Sequence, residues 1–405
     1  MVNVRVERAP ESRDTDVSAP RRMPSALQRV LRALVGTVVL FGTVQFFAAG
    51  YTYGYGEQTV LSIKGLSWAI PGAFENDWFN DRAPQPHVTF DVITWFGERL
   101  GALPFVYFLY WLASLFVFAF ATVLLADRWL PRWARPAELA VMVLAVIGPN
   151  YVLGTFLIIH REAVPNALGG ALGYLAVVLL ITRRFRAAAW LAVGVTAAHI
   201  QHGAVIAALL GLAYVLERRR SPAVRWYPAF VVGILVTVVV VGRLRGLVSG
   251  NSDFSEICRM ASPGHCWPAS WPGQVIRDGL LTLFVGAAAP LLALAVDRLA
   301  LLVVAVPAVV PAIGLVGDLN DIPVIDDFSQ RLFVYRFVMV VAPFACWSIV
   351  LLVVRLAAAA SAWGRVVVGV IAALVGCMLA RWWVQATYSP GWRYQVDIGG
   401  VERFG

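Results

Sequence analysis

Long apolar runs, joined by short polar connections that often carry arginine, dominate this chain of 405 residues. Many of the runs approach the roughly 20 residues that an α-helix needs to cross the hydrocarbon core of a bilayer. The pattern therefore predicts an all-α, polytopic transmembrane bundle with about nine full spans. We place them near residues 30–50, 104–126, 137–158, 168–181, 226–241, 280–296, 299–316, 332–354 and 366–379.

The segment 187–216 does not fit this simple pattern. It is apolar, but arginine clusters bound it on both sides, and the sequence from His199 to Gly203 interrupts its middle. Two half-length helices that enter and return on one side would satisfy both features, with His199 and His202 at the tip. Broken backbone of this kind is tolerated where it lines a protein cavity. A single tilted span is the alternative.

One long polar stretch, 51–103, separates the first two spans. The arginine-rich connections are expected in the cytoplasm, which places this stretch outside and makes the chain an inner-membrane protein. The N-terminus is then cytoplasmic and the C-terminus extracytoplasmic. We expect a disordered tail over 1–29, one transmembrane domain over 30–380 and an external tail over 381–405. The titratable residues of the stretch are Glu57, Glu75, Asp77, Asp81, His87, Asp91 and Glu98.

Composition supports a membrane protein and argues against a nucleic-acid partner. The chain is 60% hydrophobic and only 14% charged, against about 25% charged residues in soluble domains. Its net charge of +9 comes from arginines clustered between apolar runs, as membrane topology requires. Cys258 and Cys266 share one predicted external loop, where a disulfide could form. No CxxC pair and no combined cysteine and histidine spacing indicates a metal site.

Carboxylates at the mouth of the bundle are the first candidates for chemistry. Glu57 directly follows the first span, and Asp77 and Asp81 come about twenty residues later. A carboxylate there can accept a proton from an attacking hydroxyl if burial brings its pKa near the working pH. Simple solvation of these acids is the alternative.

Basic residues near the membrane surface are candidates for phosphate binding. Arg336 lies inside the predicted 332–354 span, with Arg331 just before it. An intramembrane arginine is costly unless it faces a cavity or a partner, and its planar fork suits phosphate. Snorkelling to the surface is the alternative. His160, Arg161 and Glu162 occupy a predicted outer turn that could bind a phosphate and a sugar hydroxyl, or form a loop salt bridge.

Two further clusters are weaker indications of metal binding. His199 and His202 are three residues apart and would share one helical face. We favour hydrogen bonding at a helix break over metal binding for this pair, and both histidines are also candidates for substrate contact. Four aspartates precede the predicted 332–354 span and could bind a divalent cation near Arg331. They are Asp318, Asp321, Asp326 and Asp327.

Several short motifs resemble the GT-C superfamily of polytopic glycosyltransferases. In the protein mannosyltransferase and aminoarabinose transferase branches, an Asp-Glu pair follows the first span and a Gly-Asp-Trp element comes later. Here Gly56-Glu57 and Asn76-Asp77-Trp78 occupy those places. Uncharacterised bacterial proteins of the same architecture offer a nearer likeness. It rests on Tyr51-Thr52-Tyr53-Gly54, Asn76-Asp77, the His199–His202 break and Arg336-Phe337, and covers the first 215 residues best.

The resemblance implies transfer of a sugar from a polyprenyl-phosphate donor to an acceptor hydroxyl at the outer face, with inversion. The acceptor would be a glycan, a lipid or a protein. Glu57 or Asp77 would be the general base, because Gly56 replaces the first acid of the pair. Arg336, with Arg161 or Arg331, would hold the donor phosphate. A transporter or flippase and a non-catalytic scaffold are the alternative classes.

Overall fold

A computed structural model shows an all-helical chain, as predicted. It describes residues 25–48, 50–54, 57–75, 77, 80, 87–148, 153, 158–244, 267–293, 297–320, 322 and 334–360, and these ranges contain no strand. The helices are α1 (Ala26–Phe47), α2 (Glu57–Leu61), α3 (Ile63–Ala69), α4 (Val88–Arg99), α5 (Leu103–Trp129), α6 (Glu138–Ile147), α7 (Pro165–Ile181), α8 (Phe185–Ala198), α9 (Ile200–Glu217), α10 (Tyr227–Leu244), α11 (Gly273–Leu292), α12 (Arg298–Leu319) and α13 (Val338–Ala359).

Seven of these helices are long and apolar enough to cross a membrane, so the chain is a multi-pass membrane protein. They are α1, α5, α9, α10, α11, α12 and α13. The predicted number of about nine spans is not confirmed, and the predicted span 366–379 lies outside the described residues. The helix α1 begins within the tail predicted over 1–29, because Ser25 and Gln28 cap its first turn reciprocally.

The bundle has two chemically different ends. At the basic end, Arg29 and Arg32 of α1 bind Asp127 at the close of α5, at 2.8 Å and 2.7 Å. At the loop end, the residues after α1 meet the start of α5 and the turn 158–164. The basic end is the one that the arginine pattern predicts to be cytoplasmic.

Ion pairs join several helices at the basic end. Arg183 binds Glu217 at 2.8 Å and Asp297 at 3.2 Å, and so connects the close of α7, the close of α9 and the start of α12. The Glu217 side chain is almost fully buried. A buried carboxylate of this kind is strongly destabilising if its partner is lost, so the arginine clusters hold the helix ends together as well as marking topology.

The helix break predicted at His199 is confirmed. His199 is extended, at φ −155° and ψ 106°, and separates α8 from α9 without any further loop. Arg183, just before α8, and Glu217, the last residue of α9, bind each other at the basic end. The ring centroid of His199 lies 4.7 Å from that of His87, at the loop end. The 18 residues of α9 can cross a membrane by themselves, so the expected half-length is wrong for this helix.

The predicted external stretch 51–103 folds into helices that cover the bundle. Gly65 of α3 lies so close to α4 that an added Cβ would stand 2.5 Å from the Asp91 carbonyl oxygen. The Tyr107 hydroxyl of α5 hydrogen-bonds to Ser62, at 2.8 Å, and to Thr94 of α4. These buried hydrogen bonds attach the stretch to the first turns of α5.

We predict that the contact between α8 and α9 depends on Gly203. An added Cβ would stand 2.7 Å from the Thr196 Cα, so Gly203→Ala should lower the free energy of unfolding by about 1 to 3 kcal/mol through overpacking. Gly211→Ala is the matched control, since open space surrounds Gly211 and alanine favours helix by up to about 1 kcal/mol. Denaturant titration in detergent would measure both; equal stability of the two variants would contradict the packing.

Candidate functional site

The candidate base Glu57 begins α2 at the loop end, where the chain is held against the turn 158–164. The Thr52 backbone N–H donates to the Arg161 carbonyl at 2.9 Å. The Gln58 side-chain amide donates to the Ala163 carbonyl at 3.2 Å. These two contacts span more than a hundred residues of sequence, and they bring Glu57 close to His160 and Glu162.

The turn itself is fixed from the bundle side. The Trp111 indole N–H, on α5, donates to the His160 carbonyl oxygen at 2.7 Å. Trp111 is fully buried and stacks at a tilt on Tyr51, with ring centroids 4.9 Å apart. One rigid aromatic side chain therefore contacts both the turn and the residues that follow α1.

Glu162 is a half-buried carboxylate of this turn, and its surroundings raise its pKa. Its side chain accepts hydrogen bonds from the backbone N–H groups of Glu57 and Gln58. Burial raises the pKa of Glu162 to about 7, and the nearby Glu57 carboxylate raises it as well, whereas those hydrogen bonds and Arg161 oppose the rise. Glu162 can therefore take up and release a proton near neutral pH.

His160 adds a neutral imidazole to the same cluster. Burial lowers the pKa of His160 to about 4, although the charge of Glu57 opposes this. Its Nε2 atom and the Oδ1 atom of Asn166, in the first turn of α7, are buried and have no hydrogen-bond partner within the described residues. A polar molecule bound at either atom would satisfy it, since buried polar groups normally have partners.

Asp77, the other predicted base, stabilises a local turn. Its backbone N–H donates to Phe74 at 3.1 Å, and its Oδ1 accepts from the Asn80 N–H at 2.9 Å. Lys64 of α3 binds the Asn80 carbonyl and side chain. The described contacts therefore connect Glu57 with the His160–Glu162 turn and place Asp77 in a local turn with Asn80. Asp81 lies outside the described residues.

The histidines at the helix break form a second buried group. His199 and His202 are completely buried and stack with ring centroids 4.1 Å apart. An added Cβ on Gly169 of α7 would stand 2.8 Å from the His202 Nδ1 atom. Since α7 begins directly after the turn 158–164, this helix joins the histidines to the turn that carries His160 and Glu162.

Sequence reasoning missed the partner that the structure gives to His199. His87 begins α4, is buried and faces the His199 ring, but on the sequence it was one of several titratable residues in a polar stretch. Its position just before a helical apolar pattern is the signal that could have marked it. Among the described residues, no group of three or more His, Cys, Asp or Glu could hold a metal ion.

The position predicted for Arg336 needs correction. The α-helix of that span begins at Val338, and Arg336 lies on a 3-10 turn, Val334–Phe337, that precedes it. Its backbone therefore precedes the α-helix. The adjacent Tyr335 is buried, donates a hydrogen bond to Asp318 and packs edge-on against Trp271. Arg331, Cys258, Cys266, Asp321, Asp326 and Asp327 lie outside the described residues.

Comparison with protein-family models, with curated proteins and with solved structures finds no match. The fold and site define a multi-pass, all-helical membrane protein with a half-buried polar cluster at the loop end. We call the residues Glu57, His160 and Glu162 the Glu57 cluster.

We predict that Glu162 is protonated in the folded protein below about pH 7. The infrared band of a protonated carboxyl group should decrease as the pH rises from 5 to 8, and Glu162→Gln should lack this change. Because folding raises the pKa of Glu162 from its ordinary 4.5, its contribution to stability should fall as the pH rises through that interval.

The control for this titration is Glu75→Gln, which changes an exposed acid in the same stretch. It should leave the band intact. A band that persists in Glu162→Gln would assign the protonated carboxyl to another residue and contradict the environment described for Glu162.

Proposed function

We propose that the chain is a membrane glycosyltransferase. It moves a sugar from a polyprenyl-phosphate donor to an acceptor hydroxyl at the loop end, which we take to be the extracytoplasmic face, and inverts the anomeric centre. The observation that carries the proposal is that Glu57, which follows the first span, lies beside Glu162 and the buried His160. The resemblance to GT-C enzymes expects the base at this place.

The reaction is a single displacement at the anomeric carbon. The acceptor oxygen forms a bond to that carbon, the bond from the carbon to the phosphate oxygen breaks, and polyprenyl phosphate leaves with the bonding electrons. Glu57 accepts the acceptor's proton as its oxygen attacks, a role that contributes about 10²- to 10⁴-fold in enzymes. Glu162, with a pKa of about 7, is placed to take that proton from Glu57 and release it to solvent.

Other residues of the turn suit the donor. Arg161 supplies a guanidinium within the turn that carries His160, and a planar guanidinium binds phosphate oxygens in pairs. The His160 Nε2 and Asn166 Oδ1 atoms lack partners within the described residues, and a sugar hydroxyl can satisfy them. Arg336 remains a proposed second phosphate ligand, now from the turn before α13.

Transport of a lipid-linked or small polar substrate is the second candidate function. The helix break at His199 favours it, because transporters bind substrates and ions at discontinuous helices. Buried His199 and His202 would then contact the substrate. Transport predicts movement of a labelled lipid between leaflets without a change in its headgroup, whereas glycosyl transfer predicts a new glycosidic bond.

We predict that Glu57→Gln lowers sugar transfer by about 100-fold or more, because the amide cannot accept the proton. Proteoliposomes would receive pooled radiolabelled polyprenyl-phosphate hexoses and pentoses with native envelope extract as the acceptor source. Asp77→Asn is the matched control, since it makes the same change in the same stretch at a residue that stabilises a turn. It should retain most of the activity, and Arg336→Ala should raise the KM for the donor.

Three outcomes would contradict parts of this proposal. Loss of transfer in Asp77→Asn with retention in Glu57→Gln would assign the base to Asp77. Unchanged transfer in both acid variants and in Arg336→Ala would remove these residues from catalysis. Leaflet exchange of the donor without any glycosidic product would favour the transporter.

A further inference from the structure

A groove opens at the basic end, at the opposite end of the bundle from the Glu57 cluster. It has a volume of about 600 Å³ and lies between α1 and the segment from Arg132 to Leu139. Its apolar wall comprises Leu31, Val35 and Leu139, and its charged lining comprises Arg32, Arg132, Arg135 and Glu138. A groove that combines apolar and cationic side chains can contact both an acyl chain and the phosphate of a phospholipid.

Among the described residues at this groove, the cations outnumber the carboxylates. Arg29, Arg32 and Arg135 share Asp127, and Arg32 also binds Glu138. Arg132 adds a further guanidinium on an exposed turn. Within the part of the chain that the structure describes, four guanidinium groups thus lie around two carboxylates, and this net positive charge complements an anionic headgroup. Basic pockets of this kind between helices, on the cytoplasmic side, bind anionic lipids.

The apolar wall continues onto a surface of α1 that nothing in the described chain covers. Leu31 and Val35 are 52% and 55% exposed, and Leu27, Leu34 and Val38 of the same helix are also exposed. In a membrane-spanning helix this surface faces acyl chains. A lipid whose chains lie along α1 would therefore have its headgroup at the level of the arginines.

We propose that this groove binds an anionic glycerophospholipid, such as phosphatidylglycerol. Arg132 and Arg135 contact the phosphate, and Leu31 and Val35 contact the first part of an acyl chain. The site holds the start of α1 against the turn between α5 and α6. The proposal does not depend on glycosyl transfer, because it concerns the other end of the molecule.

The test measures lipid retention by native mass spectrometry of the full chain, released from detergent after equilibration with equal amounts of phosphatidylglycerol and phosphatidylcholine. Wild type should retain phosphatidylglycerol preferentially. Arg132→Gln should lower that retention at least fivefold, because a phosphate contact is lost. Val35→Trp should lower it similarly by filling the groove while leaving its charge unchanged.

Two matched controls separate the groove from general effects. Arg219→Gln removes an exposed arginine at the basic end that does not line the groove, and Val38→Trp adds the same bulk one turn further along α1. Both should retain lipid as wild type does. Because Arg132 and Val35 are exposed, neither test variant is expected to unfold the protein, which thermal unfolding would verify.

Several results would overturn the proposal. Equal retention of the two lipids by wild type would show no headgroup recognition, and equal loss in the controls would show a general surface effect. Displacement of the lipid by glycerol 3-phosphate at the same concentration would show a small-anion site in which the apolar wall contributes nothing. If Val35→Trp left lipid retention unchanged but increased protease cleavage within 1–24, the groove would take the chain's own N-terminal segment.

Discussion

The hydrogen bonds between the residues after α1 and the turn 158–164 are the contact on which the loop end depends. Backbone groups near a membrane need partners, because lipid supplies none. Here Glu162 accepts from the backbone at the start of α2, and Gln58 returns a hydrogen bond to Ala163. The hydrogen bonds that satisfy these backbone groups also hold Glu57 beside His160. Without it, Glu57 would be one more solvated acid in an external loop.

The two ends of the bundle solve the problem of buried charge differently. At the basic end, carboxylates such as Asp127 and Glu217 are neutralised directly by arginines. At the loop end, the pKa of Glu162 rises towards neutrality and His160 stays uncharged. Paired charges give structural rigidity, whereas groups that change protonation near pH 7 suit proton transfer. On our proposal, chemistry and lipid anchoring therefore occupy opposite ends.

Local pattern predicted the apolar helices and the break at His199, because hydropathy and arginine position are visible in sequence. It did not predict that 51–99 folds onto the bundle, since the contact between Gln58 and Ala163 joins distant segments and has no periodic signature. It placed Arg336 within the helix, whereas the residue precedes it, because the apolar run begins before the α-helix does. Glu57 and the His160–Glu162 turn were each singled out, but their proximity arises only from tertiary structure.

The most direct measurement is photo-crosslinking of a polyprenyl-phosphate sugar that carries a photoreactive group on the sugar, followed by peptide mapping. If the Glu57 cluster binds the donor sugar, label should appear in peptides from 51–58 and 158–166 and should decrease when unmodified donor is added. Glu57→Gln should still be labelled, because it keeps the shape of the site. Label confined to peptides from the basic end, or label in the cluster that unmodified donor does not reduce, would contradict a donor site at Glu57.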